Sequence, residues 1–166
     1  ISLDSNQWKG VISKCTKLKS LSFEFCSDIS DQTFQNCKAN LEKLVIRDTQ
    51  NTLGTFLKNV NFHNLRKLSM IGIPIKENAV IEGLSLLKDL QQLSLNRCFI
   101  SDNFVSRVLP MLPNLKELSL CCLNIQTKCL EPIADLKQLE ILRLHMNSGV
   151  TNYLIEKICK NCSNLT

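Results

Sequence analysis

Histidine occurs twice in these 166 residues, glycine five times and proline four times, and aromatic side chains make up 5%. So little glycine and proline excludes collagen-like, linker and low-complexity classes. The glycines are spread singly, so no glycine-rich loop is available to cradle a phosphate. No run of five like charges occurs; the 20 basic and 15 acidic residues are scattered and the net charge is +5. Nothing in that balance marks a nucleic-acid or membrane partner. No stretch approaches the 18 consecutive apolar residues of a transmembrane helix, and no basic segment followed by an apolar run opens the chain as a secretory signal would. One C-x-x-C occurs, Cys159-Lys-Asn-Cys162, with Cys121-Cys122 elsewhere. Structural zinc usually needs two such pairs. No metal, cofactor or nucleophile–base pair is therefore expected. His63 falls in a turn, and His145 has near it only Cys121 and Ser119, with no third group to orient a base.

Leucine is abundant, within a hydrophobic fraction of 44%, and it is periodic. The phrase Leu, two variable residues, Leu, one variable residue, apolar begins at Leu18, Leu41, Leu65, Leu90, Leu115 and Leu139, and another opens at Leu165. The copies are 23 to 26 residues apart. Repetition at this period specifies a leucine-rich-repeat solenoid, in which each repeat buries its apolar face on its neighbours.

The copy at Leu90 shows the unit. Leu93 and Leu95, two apart, share one face of a short strand, so Gln92, Ser94 and Asn96 face the other way. After Cys98 come Ile100-Ser101-Asp102 and then Phe104, Val105, Val108 and Leu109 at helical spacing. Ser101 or Asp102 is the expected N-cap, and Pro110 and Pro113 close the helix. The other copies place helical apolar residues at Phe34; at Leu53, Phe56, Leu57 and Val60; at Val80, Ile81, Leu84 and Leu87; at Leu130, Ile133 and Leu136; and at Leu154, Ile155 and Ile158. Stacked strands about 4.8 Å apart, backed by helices about 10 Å wide, curve into an α/β horseshoe. A concave parallel sheet faces inward and helices lie outside. Residues 1–166 form one domain of about six repeats starting near 18, 41, 65, 90, 115 and 139.

Residues 1–17, with Trp8, Val11, Ile12 and Cys15, resemble the helical half of a repeat or an irregular cap, and Leu165-Thr166 stands at the threshold of a strand. An internal segment of a longer protein is the expectation. The nine cysteines are odd in number and mostly occupy repeat positions, so reduced, buried thiols and an intracellular chain, cytoplasmic or nuclear, are expected. The sequons at Asn161 and Asn164 then read as chance matches.

Cys15 and Cys162 precede a repeat-opening leucine by three residues and Cys37 by four, while Cys26 and Cys98 follow the last strand residue by three. The segments Cys26-Ser-Asp-Ile29-Ser30-Asp31 and Cys98-Phe-Ile100-Ser101-Asp102 look like the Cys-x-x-Ile-Thr-Asp signature of the cysteine-containing repeat. This pattern resembles F-box/LRR proteins, the substrate-recognition subunits of SCF-type ubiquitin ligases, over nearly the whole chain. Ile73 and Leu123 depart from it where Cys or Asn is usual, the second repeat lacks the Ile-Ser-Asp element, and these residues include no F-box. The resemblance implies that the solenoid holds a substrate protein and carries no chemistry, with the ligase adaptor engaged through the missing F-box. Another intracellular adaptor or inhibitor, or a ligand-sensing module, is the alternative.

The inward face is the expected binding surface. Its middle column reads Ser22, Val45, Ser69, Ser94, Ser119, Arg143. Small residues there either admit a partner's backbone or relieve crowding on a curved sheet. The candidate partner-binding residues are Glu24, Phe25, Lys43, Arg47, Lys67, Gln92, Asn96, Arg97, Glu117, Arg143, His145 and Met146. Arg47 and Arg97, with Phe25 and Met146, lead, since arginine and aromatic residues are over-represented among hot spots. Mixed charges disfavour nucleic acid.

Overall fold

The computed structural model describes residues 4–59, 62, 64–121 and 123–166. Val60, His63 and Cys122, singled out above, and residues 1–3 lie outside them. Six strands form one sheet in sequential order: β1 (Ser20–Glu24), β2 (Lys43–Arg47), β3 (Lys67–Ile71), β4 (Gln92–Ser94), β5 (Glu117–Ser119) and β6 (Ile141–Arg143). Every neighbouring pair is parallel, and the register aligns Leu21, Leu44, Leu68, Leu93, Leu118 and Leu142. The fold is an α/β leucine-rich-repeat solenoid of about six repeats. Apolar residues beneath the strands form one continuous core; Leu44, Leu68 and Leu118 are fully excluded from water.

The outer layer is α1 (Ser5–Lys14), α2 (Phe56–Asn59), α3 (Glu77–Leu84), α4 (Asp102–Val108), α5 (Thr127–Leu130) and α6 (Asn152–Asn161), joined by 3₁₀ turns. It is less helical than the spacing suggests. Around Phe34 there is only a 3₁₀ turn (Asp31–Phe34) capped by Ser30. Ser101 caps α4, accepting from the Phe104 amide at 3.2 Å, and Pro110 turns that helix into a 3₁₀ segment. Leu53 is not helical; it forms a parallel bridge with Ile75. In α6 Leu154 and Ile158 are buried, but Ile155 is 41% exposed, since it is rotated about 100° from Leu154. Val11 is likewise exposed on α1 while Ile12 is buried.

Between repeats, acidic side chains at helix starts cap the next repeat. Asp31 Oδ1 accepts from the Gly54 and Phe56 amides, both at 3.0 Å, and Oδ2 takes Lys76 Nζ at 2.9 Å. Glu77 holds the Ser101 hydroxyl at 2.7 Å, and Asp102 the Gln126 amide at 2.8 Å. The Ile-Ser-Asp element is thus an inter-repeat clamp. The second repeat lacks it, and there the backbone substitutes: the Leu53 amide donates to Pro74 O at 3.0 Å and the Lys76 amide to Leu53 O at 2.7 Å.

The two halves of the core differ. Trp8, Phe23, Phe34, Phe56 and Phe62 form an aromatic chain with centroid separations of 5.1, 6.0, 4.5 and 6.0 Å, geometries favoured by ring quadrupoles. Under β4 to β6 the core is aliphatic apart from Phe104. Gly83 lets α3 lie against Leu57, where any Cβ would collide with that side chain.

The eight described cysteines are free thiols. Burial is narrower than expected: Cys98 and Cys162 are buried, whereas Cys15 and Cys159 are exposed. Cys159 does not lie on the inner side of its helix; it is one residue past the buried Ile158, and the helix turns it outward.

Candidate recognition groove

Because side chains alternate along a strand, three columns project from the concave face. The register gives a first column of Ser20, Lys43, Lys67, Gln92, Glu117 and Ile141, and a middle column of Ser22, Val45, Ser69, Ser94, Ser119 and Arg143. Glu24, Arg47 and Ile71 begin the third. Together they enclose an open groove of ≈ 330 Å³. Of the twelve candidate residues, eight line it: Glu24, Lys43, Arg47, Lys67, Gln92, Asn96, Glu117 and Arg143.

Phe25, Arg97, His145 and Met146 do not line the groove; they sit past the strand ends on its rim. The strands shorten from five residues in β1–β3 to three in β4–β6, so the third column leaves the sheet at Asn96. The Asn96 carboxamide oxygen takes the Cys121 amide at 2.7 Å and the Ser119 hydroxyl at 2.9 Å. A short polar side chain thereby competes with the backbone ladder. His145 is exposed in the turn after β6. Cys121 Sγ is 3.6 Å from both Ser119 Oγ and Arg143 O.

The rim has a rule that the residue types do not announce. Phe25, Asp48, Gly72, Arg97 and Met146 each follow the first strand residue by five, and each has a φ between 49° and 62°. The repeat needs this left-handed turn to leave the strand, yet only one of the five is glycine. In bulky residues that conformation costs about 1–2 kcal/mol. Phe25 is nevertheless 78% exposed, and Phe99, three repeats further along the chain, is 86% exposed. Phe99, Arg97 and Gly72 border a second depression, of ≈ 480 Å³. Phe99 belongs to neither the inward columns nor the helical apolar set; in the sequence its only mark is a large aromatic between the repeat positions Cys98 and Ile100.

The next position along the chain serves the fold. Cys98 Sγ donates to Met70 O at 3.1 Å, and Asn147 takes the Leu123 amide at 3.1 Å while donating to Leu144 O at 3.1 Å. Thr49 stands at the same place with its buried Oγ1 unpartnered among the described residues. Burial pushes the Cys98 thiol up to about 11, so it stays protonated.

The groove's charges are unevenly neutralised. Arg143 pairs with Glu117, and Arg47 Nε lies 3.9 Å from Glu24 Oε1. Lys43 and Lys67, partners in adjacent strands, have no ion pair or hydrogen bond among the described residues. At strand spacing of about 5 Å two ammonium groups repel by about 1 kcal/mol in water and about 3 kcal/mol at a dielectric constant of 20.

Cys159 and Cys162 differ in burial. The first is exposed, and the second is buried with Sγ 3.5 Å from Ile133 O. Among the described residues no group of three or more metal-ligating side chains occurs, and no helix is long and apolar enough to cross a membrane.

No family model matches the chain. Among solved structures, the tropomodulin C-terminal domain of Caenorhabditis elegans aligns over 98% of this chain and 93% of that one, with TM-score 0.58 and 11% identity. TLR13, solved in a complex with ssRNA13, aligns over 99% of this chain and 30% of that one, with TM-score 0.43 and 18% identity. The first likeness is one of fold.

Proposed function

We propose that the chain is a non-catalytic protein-recognition scaffold whose concave groove holds a partner protein, and that it serves as the substrate-binding part of an F-box/LRR ubiquitin-ligase subunit. The observation that carries the scaffold reading is the groove itself. It is an open surface over six strands with a floor of serines and half-exposed polar walls. Extended inner faces of this kind are how solenoids bind. Glu24 and Glu117 interleave with the basic residues, which favours protein over nucleic acid. The ligase role rests on the Cys-x-x-Ile-Ser-Asp element at Cys26–Asp31 and the one-residue-shorter Cys-x-Ile-Ser-Asp element at Cys98–Asp102, and it implies a cytoplasmic or nuclear protein.

The test separates the two levels. The full-length protein, tagged in cells, is expected to co-precipitate an SCF adaptor through residues outside 1–166 and to carry ubiquitin-modified partners when the proteasome is blocked. Ser94→Arg fills the groove floor in a column that already accommodates Arg143. It should abolish partner capture and leave adaptor binding unchanged. Loss of adaptor association removes the ligase role. Full partner capture by Ser94→Arg removes the groove.

A further inference from the structure

The groove reading leaves one feature unexplained, the two lysines placed side by side without counter-ions. Lys43 and Lys67 are register partners on β2 and β3, both facing the groove. Like charges directly opposite one another are unfavourable in a sheet, and each acidic residue of the groove already faces an arginine. Beside them Ser69 and Ser94, also register partners, line the floor with hydroxyls that have no partner among the described residues. Across that floor is Arg47, whose guanidinium is half-exposed and holds Glu24 only at the limit of ion-pair distance. Two ammonium groups with two hydroxyl donors beside them therefore stand at one end of the groove without a counter-ion among the described residues, while Arg47 across the floor is already matched by Glu24.

Resting on the proposed role of the groove, the geometry points to an oxyanion subsite over β2 and β3, formed by Lys43 and Lys67, that receives an acidic side chain of an extended partner peptide. The order of the first column gives the peptide a direction. Lys43 and Lys67 are followed by neutral Gln92, then Glu117, then exposed Ile141. A matching segment carries its negative charge over β2 and β3, a polar residue over β4, and no acid over β5, where Glu117 would repel it. Carboxylate and phosphate share the required chemistry. The open shape of the groove favours a chain over a small free anion, which would remain half in water.

Fluorescence anisotropy with the full chain tests this, using three labelled twelve-residue peptides: one with Glu at its acidic end, one with phosphoserine there, and one with Gln. The Glu or phosphoserine peptide should bind, the stronger of the two naming the group, and the Gln peptide should bind at least tenfold more weakly. Lys43→Gln/Lys67→Gln should weaken the acidic peptide at least tenfold with a Tm equal to or above that of the parent chain. Lys88→Gln, an exposed lysine outside the groove, should bind as the parent does. Binding of the double variant within twofold of the parent overturns the subsite, as does an oligothymidylate of equal charge that competes as well as the peptide. If Ser94→Arg still abolishes peptide binding in that event, the groove stands and only the subsite falls. If neither substitution matters, both readings fall.

Discussion

Asp31→Ala should be the most costly single change on the outer face. Its carboxylate is 16% exposed and joins three successive repeats, capping Gly54 and Phe56 in the second and pairing with Lys76 in the third. Both capped amides belong to buried residues. A hydrogen bond to a charged group contributes about 1.5–3 kcal/mol, and a buried donor left unsatisfied costs about as much. The half-exposed Lys76 contact adds less than about 1 kcal/mol. Two such bonds sharing one oxygen are not additive, so about 3 kcal/mol is the expected loss. At about 2–4 °C per kcal/mol for a chain of this size, Tm falls by about 6–12 °C. Hydrogen exchange at Gly54 and Phe56 should accelerate before that of the strands.

The pH dependence is a second handle on the same group. Burial, the largest single influence, pushes the Asp31 carboxyl up. Hydrogen bonds from Thr55, Lys76 and the Gly54 and Phe56 amides together outweigh it and hold the group below 3.8. A depressed carboxylate contributes stability that is fully present above the unfolded value and is lost as pH falls through the folded one. The chain should therefore exceed Asp31→Asn in stability at pH 7, and the gap should narrow as pH falls below 3.8. Calorimetry that finds Asp31→Ala within 0.5 kcal/mol of the parent (about 1–2 °C), or a gap to Asp31→Asn that is flat down to pH 2, refutes the clamp.

Thr49→Val removes a buried hydroxyl that has no partner among the described residues and replaces it with a methyl of similar size. A gain of about 1 kcal/mol is expected, and a lower urea midpoint would contradict the burial of Oγ1. Alkylation with iodoacetamide under native conditions should label Cys15 and Cys159 first, while Cys98 and Cys162 react only on unfolding. Mass spectrometry showing early modification of Cys98 would contradict its raised thiol value.

The solenoid is written in the leucine spacing. A leucine every two dozen residues cannot be buried within one short strand–helix unit, so stacking is forced, and alternation within each strand then assigns its faces. The groove columns followed from that alternation; the register reproduces the first and middle columns over all six strands and the third over β1 to β3. Tertiary structure decided what depends on contacts between repeats. Leu53 has helical spacing, yet it pairs with Ile75 because no acidic clamp holds its own repeat to the next. His145 fits the inward pattern but falls on the rim, because β6 stops at Arg143, and Arg97 is carried there by the same left-handed turn that takes Phe25 out of the longer β1. Neither Asp31 as a three-repeat staple nor the unpaired state of Lys43 and Lys67 is local information. Each depends on which side chains, 23 to 45 residues apart in the chain, share one point in space.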